Sequence, residues 1–176
     1  MISSKQAQKS ANERKAFSMF AEKMGWLCDE LTMSSRPEPE PDILFKAGVG
    51  FIAFELVEMC DSTLAHQTAL IRDTGGVFTT WTSDPTAQII GKKLSKSYST
   101  DYPIELLCYW NAMVISPDSQ IAEEINLALE SRSDHPFQVV WYFGEKSIYK
   151  WLIAENHCSK LQFDNARDPF WVDWFF

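Results

Sequence analysis

Apolar residues recur at helical spacing from the N-terminal quarter onward, and the first such run, Phe17, Phe20, Met24, Leu27 and Leu31, predicts an amphipathic helix over 13–31 with Asn12 as its N-cap and Gly25 as a place where it ends early or weakens. The segment SSRPEPEP that follows excludes helix, because each proline lacks an amide hydrogen and biases the residue before it to extended backbone. It reads as a rigid linker. Ile43 to Phe45 and Phe51 to Val57 then carry the strand formers of a β-hairpin, with Gly48 and Gly50 suiting the turn between them. Farther on, a short helix is predicted over 63–72 and a strand over 77–81. A helix over 86–98 has Ile90, Leu94 and Tyr98 on one face, and a strand follows over 104–110. Ile121, Ile125, Ala128 and Leu129 mark a helix over 119–132, and 137–143 and 147–152 read as strands about a Gly-Glu turn.

This alternation in 176 residues predicts a single α/β domain spanning 1–176, large enough to bury a substantial core. Hydrophobic and charged shares of 45% and 23% are those of globular proteins and argue against disorder. The first fifteen residues lack the apolar stretch of a signal peptide, and no run approaches the roughly 18 apolar residues of a membrane span, so the expected location is cytoplasmic and not membrane-bound. Cys28, Cys60, Cys108 and Cys158 form no CxxC pair and support neither a disulfide framework nor a zinc site. His66, His135 and His157 form no cluster. The aromatic tail PFWVDWFF is expected to be covered, either by its own sheet or by a protein partner or second copy of the chain.

Charge changes the picture in two ways. A net charge of −8 opposes nonspecific attraction to nucleic acid, whose binding rests on Lys and Arg. Positive charge is nonetheless concentrated in Lys5, Lys9, Arg14 and Lys15, and in Lys92, Lys93 and Lys96. The second feature is a pair of acids, Asp42 and Glu55, set in apolar strand sequence. A carboxylate buried there is costly without a partner, and a hard divalent cation would supply one for both.

The order helix, hairpin bearing Pro41-Asp42 and then Glu55, helix, strand resembles the PD-(D/E)XK nuclease superfamily over about the first 110 residues. Asp42 matches the first acid and Glu55 the second, whereas Val57 stands where the motif has lysine. The stretch GKKLSKSY is similar to the helix that supplies the lysine in variant members; on helical geometry Lys93 is the first candidate and Lys96 the second, with Lys92 pointing away. Many members carry a Glu on the first helix. Here Glu13, four residues before Phe17, falls on the apolar stripe and points inward, unlike Glu22.

The resemblance implies a restriction-endonuclease-like mixed β-sheet flanked by helices, Mg²⁺ or Mn²⁺ held by Glu13, Asp42, Glu55 and the Leu56 carbonyl, and phosphodiester hydrolysis in DNA or RNA with Lys93 or Lys96 as the catalytic lysine. Two further readings stand beside it: a related fold without catalysis that binds nucleic acid, and an acidic interaction module that binds a protein. Simpler assignments also exist for each residue. Asp42 suits an ordinary turn, Glu55 a surface position on an edge strand, Glu13 the first turn of a helix, and the lysines a solvated face.

Overall fold

The computed structural model of the chain describes residues 4–60, 84–110, 116–163 and 170–173, with the side chains of 4–5 and 170–173 left aside. The expected helix over 63–72 and strand over 77–81 lie outside these residues, as do the side chains of the aromatic tail. Among the described residues eight strands form one sheet in chain order: β1 (Met33–Ser35), β2 (Ile43–Ala47), β3 (Gly50–Met59), β4 (Ile104–Trp110), β5 (Phe137–Phe143), β6 (Ser147–Leu152), β7 (His157–Gln162) and β8 (Phe170–Asp173). The helices are α1 (Ser4–Lys23), α2 (Thr86–Leu94) and α3 (Asp118–Ser131).

The sheet is mixed. Strands β3, β4 and β5 run parallel, and the remaining neighbours pair antiparallel. Parallel neighbours need a crossover, and a central strand covered on both faces should be apolar throughout. β4 is buried from Ile104 to Cys108 and apolar there except at Glu105, whose carboxylate accepts the Trp141 indole hydrogen. Helices α2 and α3 cover one face, where Ile90, Leu94, Ile121 and Ile125 pack with Leu106, Cys108, Val140 and Tyr142. Helix α1 covers the other, where Phe17 and Phe20 pack with Ile43, Phe54, Leu56, Leu107 and Trp141. Phe17 is the hub of that layer, its ring 4.9 Å from Phe54 and 5.2 Å from Phe45 in edge-on contacts, each adding roughly 0.5–1.5 kcal/mol beyond burial.

Several boundaries differ from the sequence expectations. Helix α1 begins at Ser4, so Asn12 is an interior residue, and its carboxamide oxygen accepts from Gln8 across one turn instead of capping. The helix stops at Lys23 because Gly25 takes a left-handed φ of 68°, with the Trp26 amide donating to the Ala21 carbonyl and the Gly25 amide to that of Glu22. Trp26 then folds back onto Phe20, 5.4 Å between ring centroids, and completes the stop. Helix α2 ends at Leu94, four residues before Tyr98. The proline-rich linker contains a short strand: Met33 to Ser35 pair with Phe45 to Ile43 ahead of the first proline. Strand β7 was not foreseen, since HCSKLQ lacks a regular apolar alternation.

Candidate functional site

The acids singled out in the hairpin are brought together by register. Ile43 pairs with Phe54, so the residue before β2, Asp42, comes opposite Glu55 on the same side of the ladder. Both are buried, Asp42 at 8% and Glu55 at 0% exposure. The reading of Glu55 as a surface acid on an edge strand therefore fails, because β3 lies inside the sheet. The reading of Asp42 as an ordinary turn residue fails as well. Its Oδ2 accepts the Leu56 amide hydrogen at 2.9 Å, which fixes the carboxylate against β3.

Glu55 receives two ammonium groups on one oxygen. Lys93 Nζ donates to Glu55 Oε1 at 2.6 Å and to the Leu56 carbonyl at 2.9 Å, and Lys96 Nζ donates to the same Oε1 at 3.1 Å. Lys92, the third lysine of that stretch, is exposed. The other carboxylate oxygen, Oε2, is sealed from solvent and has no hydrogen-bond partner among the described residues. A strand acid and two lysines from the chain following it in space thus form one ion cluster, part buried and not a solvated face.

Glu13 reaches this cluster from the α1 side. It is buried, as its place on the apolar stripe predicts, and Lys9 one turn earlier bridges Glu13 Oε1 at 3.0 Å and Asp42 Oδ1 at 3.3 Å. Burial, then the neighbouring Asp42, pushes the Glu13 carboxyl above its ordinary range, against the pull of Lys9. The Lys9 ammonium is held above its usual value: burial opposes this, but Asp42 and Glu13 outweigh it. Lys9 is the site residue that sequence reasoning missed; it had counted only as part of a basic N-terminal cluster. The available signal was its i, i+4 spacing to the inward-facing Glu13.

Tyr98, placed from sequence on one helix face with Ile90 and Leu94, borders the cluster, its ring under the Lys96 ammonium. Burial first, then the facing charges of Glu55 and Asp42, pushes its hydroxyl well above the ordinary tyrosine pKa. Three acids and three lysines, Glu13, Asp42 and Glu55 with Lys9, Lys93 and Lys96, therefore meet with balanced formal charges, and the exposed Glu38, 3.9 Å from Lys96, adds a fourth acid at the rim. No group of three His, Cys, Asp or Glu side chains arranged to hold a metal occurs among the described residues. Lys9 stands between Glu13 and Asp42 and pairs with both.

His135 and His157 lie elsewhere, on the wall of a cavity of about 530 Å³ that none of the six charged residues lines. His66 falls outside the described residues. Among the described residues no helix is long and apolar enough to cross a membrane.

No family model matches the chain, and no curated protein matches it. A solved structure of a Pseudomonas aeruginosa protein of unknown function, described as belonging to the monooxygenase superfamily, is similar over 89% of this chain and 83% of its own, at 15% identity and a TM-score of 0.44. The expected membership of the PD-(D/E)XK superfamily, and with it the restriction-endonuclease-like fold and phosphodiester hydrolysis, is corrected by these comparisons: no nuclease is matched, and the similar structure bears a different superfamily name. The sequence resemblance rested on two acids and their order in the chain, and the lysine of the motif is absent from the strand at Val57. A likeness at this TM-score and identity transfers neither a fold nor an activity, so no monooxygenase chemistry is taken from it; the chain is an α/β protein with a mixed sheet, helices on both faces and a neutralised acid–lysine cluster.

Proposed function

We propose that the acid–lysine cluster is a binding site for a divalent cation of the Mg²⁺ or Mn²⁺ type together with a phosphate-bearing anion. The observation that carries this reading is the position of Lys93 Nζ, hydrogen-bonded at once to Glu55 Oε1 and the Leu56 carbonyl. Two hard oxygens already converge on a positive charge there, and they are donor types that Mg²⁺ and Mn²⁺ take. The Oε2 atom of Glu55, without a partner among the described residues, and Oδ1 of Asp42, which accepts from Lys9, are further oxygens on the same acids.

The residues fit such an ion in chemistry, and Lys93 is its competitor. Asp42, Glu55 and the Leu56 carbonyl would hold it, while Glu13 would act through Lys9 and not as a direct ligand. When bound, the ion would supply charge neutralisation to the two acids. Lys93 and Lys96 would then have their ammonium groups available to an anion at the same place. Side-chain exposures of 19% and 33% leave both within reach of solvent.

The test is a Mn²⁺ titration followed by electron paramagnetic resonance, with Mg²⁺ as competitor and inorganic phosphate as the anion probe. The expected result is saturable binding that is lost in Glu55→Gln and in Asp42→Asn, and that tightens in Lys93→Met because the internal competitor is gone. Phosphate affinity should rise with Mn²⁺ present, by the linkage that any two coupled ligands obey. Equal, nonsaturable Mn²⁺ binding by all four proteins would refute the reading.

A further inference from the structure

Two buried polar atoms beside the cluster lack partners among the described residues: Oε2 of Glu55 and the Tyr98 hydroxyl. Both are sealed from bulk solvent. Leaving such an atom unsatisfied costs about 1–3 kcal/mol, and more when it belongs to a charged group, so orphans in one neighbourhood need an account. A carboxylate oxygen can only accept, and a tyrosine hydroxyl can donate.

Lys96 shows that the two side chains share that neighbourhood. Its ammonium lies 3.1 Å from Glu55 Oε1 and 5.0 Å from the centroid of the Tyr98 ring, over the ring face. The ring is anchored in turn, 5.6 Å from that of Phe137, a core residue at the start of β5. One lysine is thus held between the carboxylate and an aromatic surface fixed to the sheet. A cation seated over a tyrosine face is attracted to the ring quadrupole, and a rigid ring restricts where it sits.

We propose that Tyr98 is a positioning residue of this site, its hydroxyl donating to Oε2 of Glu55 and its ring holding the Lys96 ammonium over Oε1. The consequence is that Glu55 is fixed from both oxygens, one by lysines and the other by Tyr98. This inference rests on the cluster being a cation site only in its second readout. The hydrogen bond itself is tested without any metal.

The experiment uses the full chain with tyrosine labelled by ¹³C at Cζ, in an H₂O–D₂O mixture, where a slowly exchanging hydroxyl splits the Cζ signal into two. The chain has five tyrosines, and the signal that disappears in Tyr98→Phe identifies this one. The expected result is a split Tyr98 signal that collapses to a single line in Glu55→Met. A single line in the unsubstituted protein, or a split that persists in Glu55→Met, would overturn the proposal. Mn²⁺ affinity gives the second readout: Tyr98→Phe should bind about fivefold more weakly than the unsubstituted protein, a change set by one hydrogen bond. Failure of all variants and the unsubstituted chain to bind Mn²⁺ would remove the cation reading and leave the split signal to decide the role of Tyr98.

Discussion

Lys93 and Glu55 form a 2.6 Å ion pair in which the carboxylate is 1% exposed and the ammonium 19%, so the acid depends on the lysine far more than the lysine on the acid. Breaking a buried pair from one side leaves an uncompensated charge. Lys93→Met should therefore destabilise the fold by about 3 kcal/mol, and adding Glu55→Gln should recover most of that loss. Lys96→Met should cost less, about 1 kcal/mol, since its ammonium is more exposed and its bond longer. Urea denaturation of Lys93→Met, Glu55→Gln and the Lys93→Met/Glu55→Gln double variant closes the cycle; additive losses would show that the two side chains are not coupled.

A second buried acid sets a pH dependence. Glu105 on β4 accepts the Trp141 indole hydrogen at 2.6 Å, and its carboxyl is raised above 4.5, first by burial, against the smaller opposing effects of Trp141 and Lys150. The folded state thus keeps this proton at a pH where the unfolded chain has lost it. The stability it contributes is complete below the unfolded pKa and is lost as pH rises through the raised value. Glu13 acts in the same direction. Glu105→Gln keeps an oxygen for Trp141 and removes the titration. Its stability relative to the unsubstituted protein should rise as pH is taken upward from the ordinary carboxylate range toward neutrality, read by urea denaturation at a series of pH values.

Asp118 and Gly144 illustrate a close approach that only glycine permits. The Asp118 carboxylate opens α3 and grips the β5–β6 turn, accepting from the amides of Glu145 and Lys146 at 3.0 and 2.9 Å and from the Tyr142 hydroxyl at 3.1 Å. A methyl group on Gly144 would overlap that carboxylate directly. Gly144→Ala should cost about 2 kcal/mol or more, as the turn gives up its grip on Asp118 or distorts to keep it. Gly91→Ala on α2, where an added Cβ meets nothing within 4 Å, should be neutral or slightly stabilising, with thermal melts of both variants as the measurement.

Three neighbouring strands of the sheet were legible because their signals are local and dense. Strands β4, β5 and β6 were placed at 104–110, 137–143 and 147–152, where apolar runs are bounded by turn residues. Helix α1 was misplaced at both ends. Its first turns carry polar side chains that only i, i+4 partners such as Lys9 and Glu13 reveal, and its stop depends on Gly25, which within a helical pattern reads ambiguously. β1 is three residues long and owes its existence to pairing with β2, a long-range fact. In the site, helical geometry selected Lys93 ahead of Lys92, but the sharing of Glu55 by Lys93 and Lys96 depends on how the chain turns after Leu94. Family membership was the least legible feature, because two acids at a plausible spacing are compatible with many folds.

The pairing of three acids with three lysines gives this cluster a place in the field of the whole molecule. The chain carries a net −8, and these six groups contribute none of it, so the full excess of negative charge lies on the rest of the protein, Glu38 at the rim of the site included. Approaching ions meet that surrounding field before they meet the site. A dication is drawn in and a phosphate is turned away at long range, and because a Debye length of about 8 Å at physiological ionic strength damps both effects, added salt slows the arrival of the cation and speeds that of the anion.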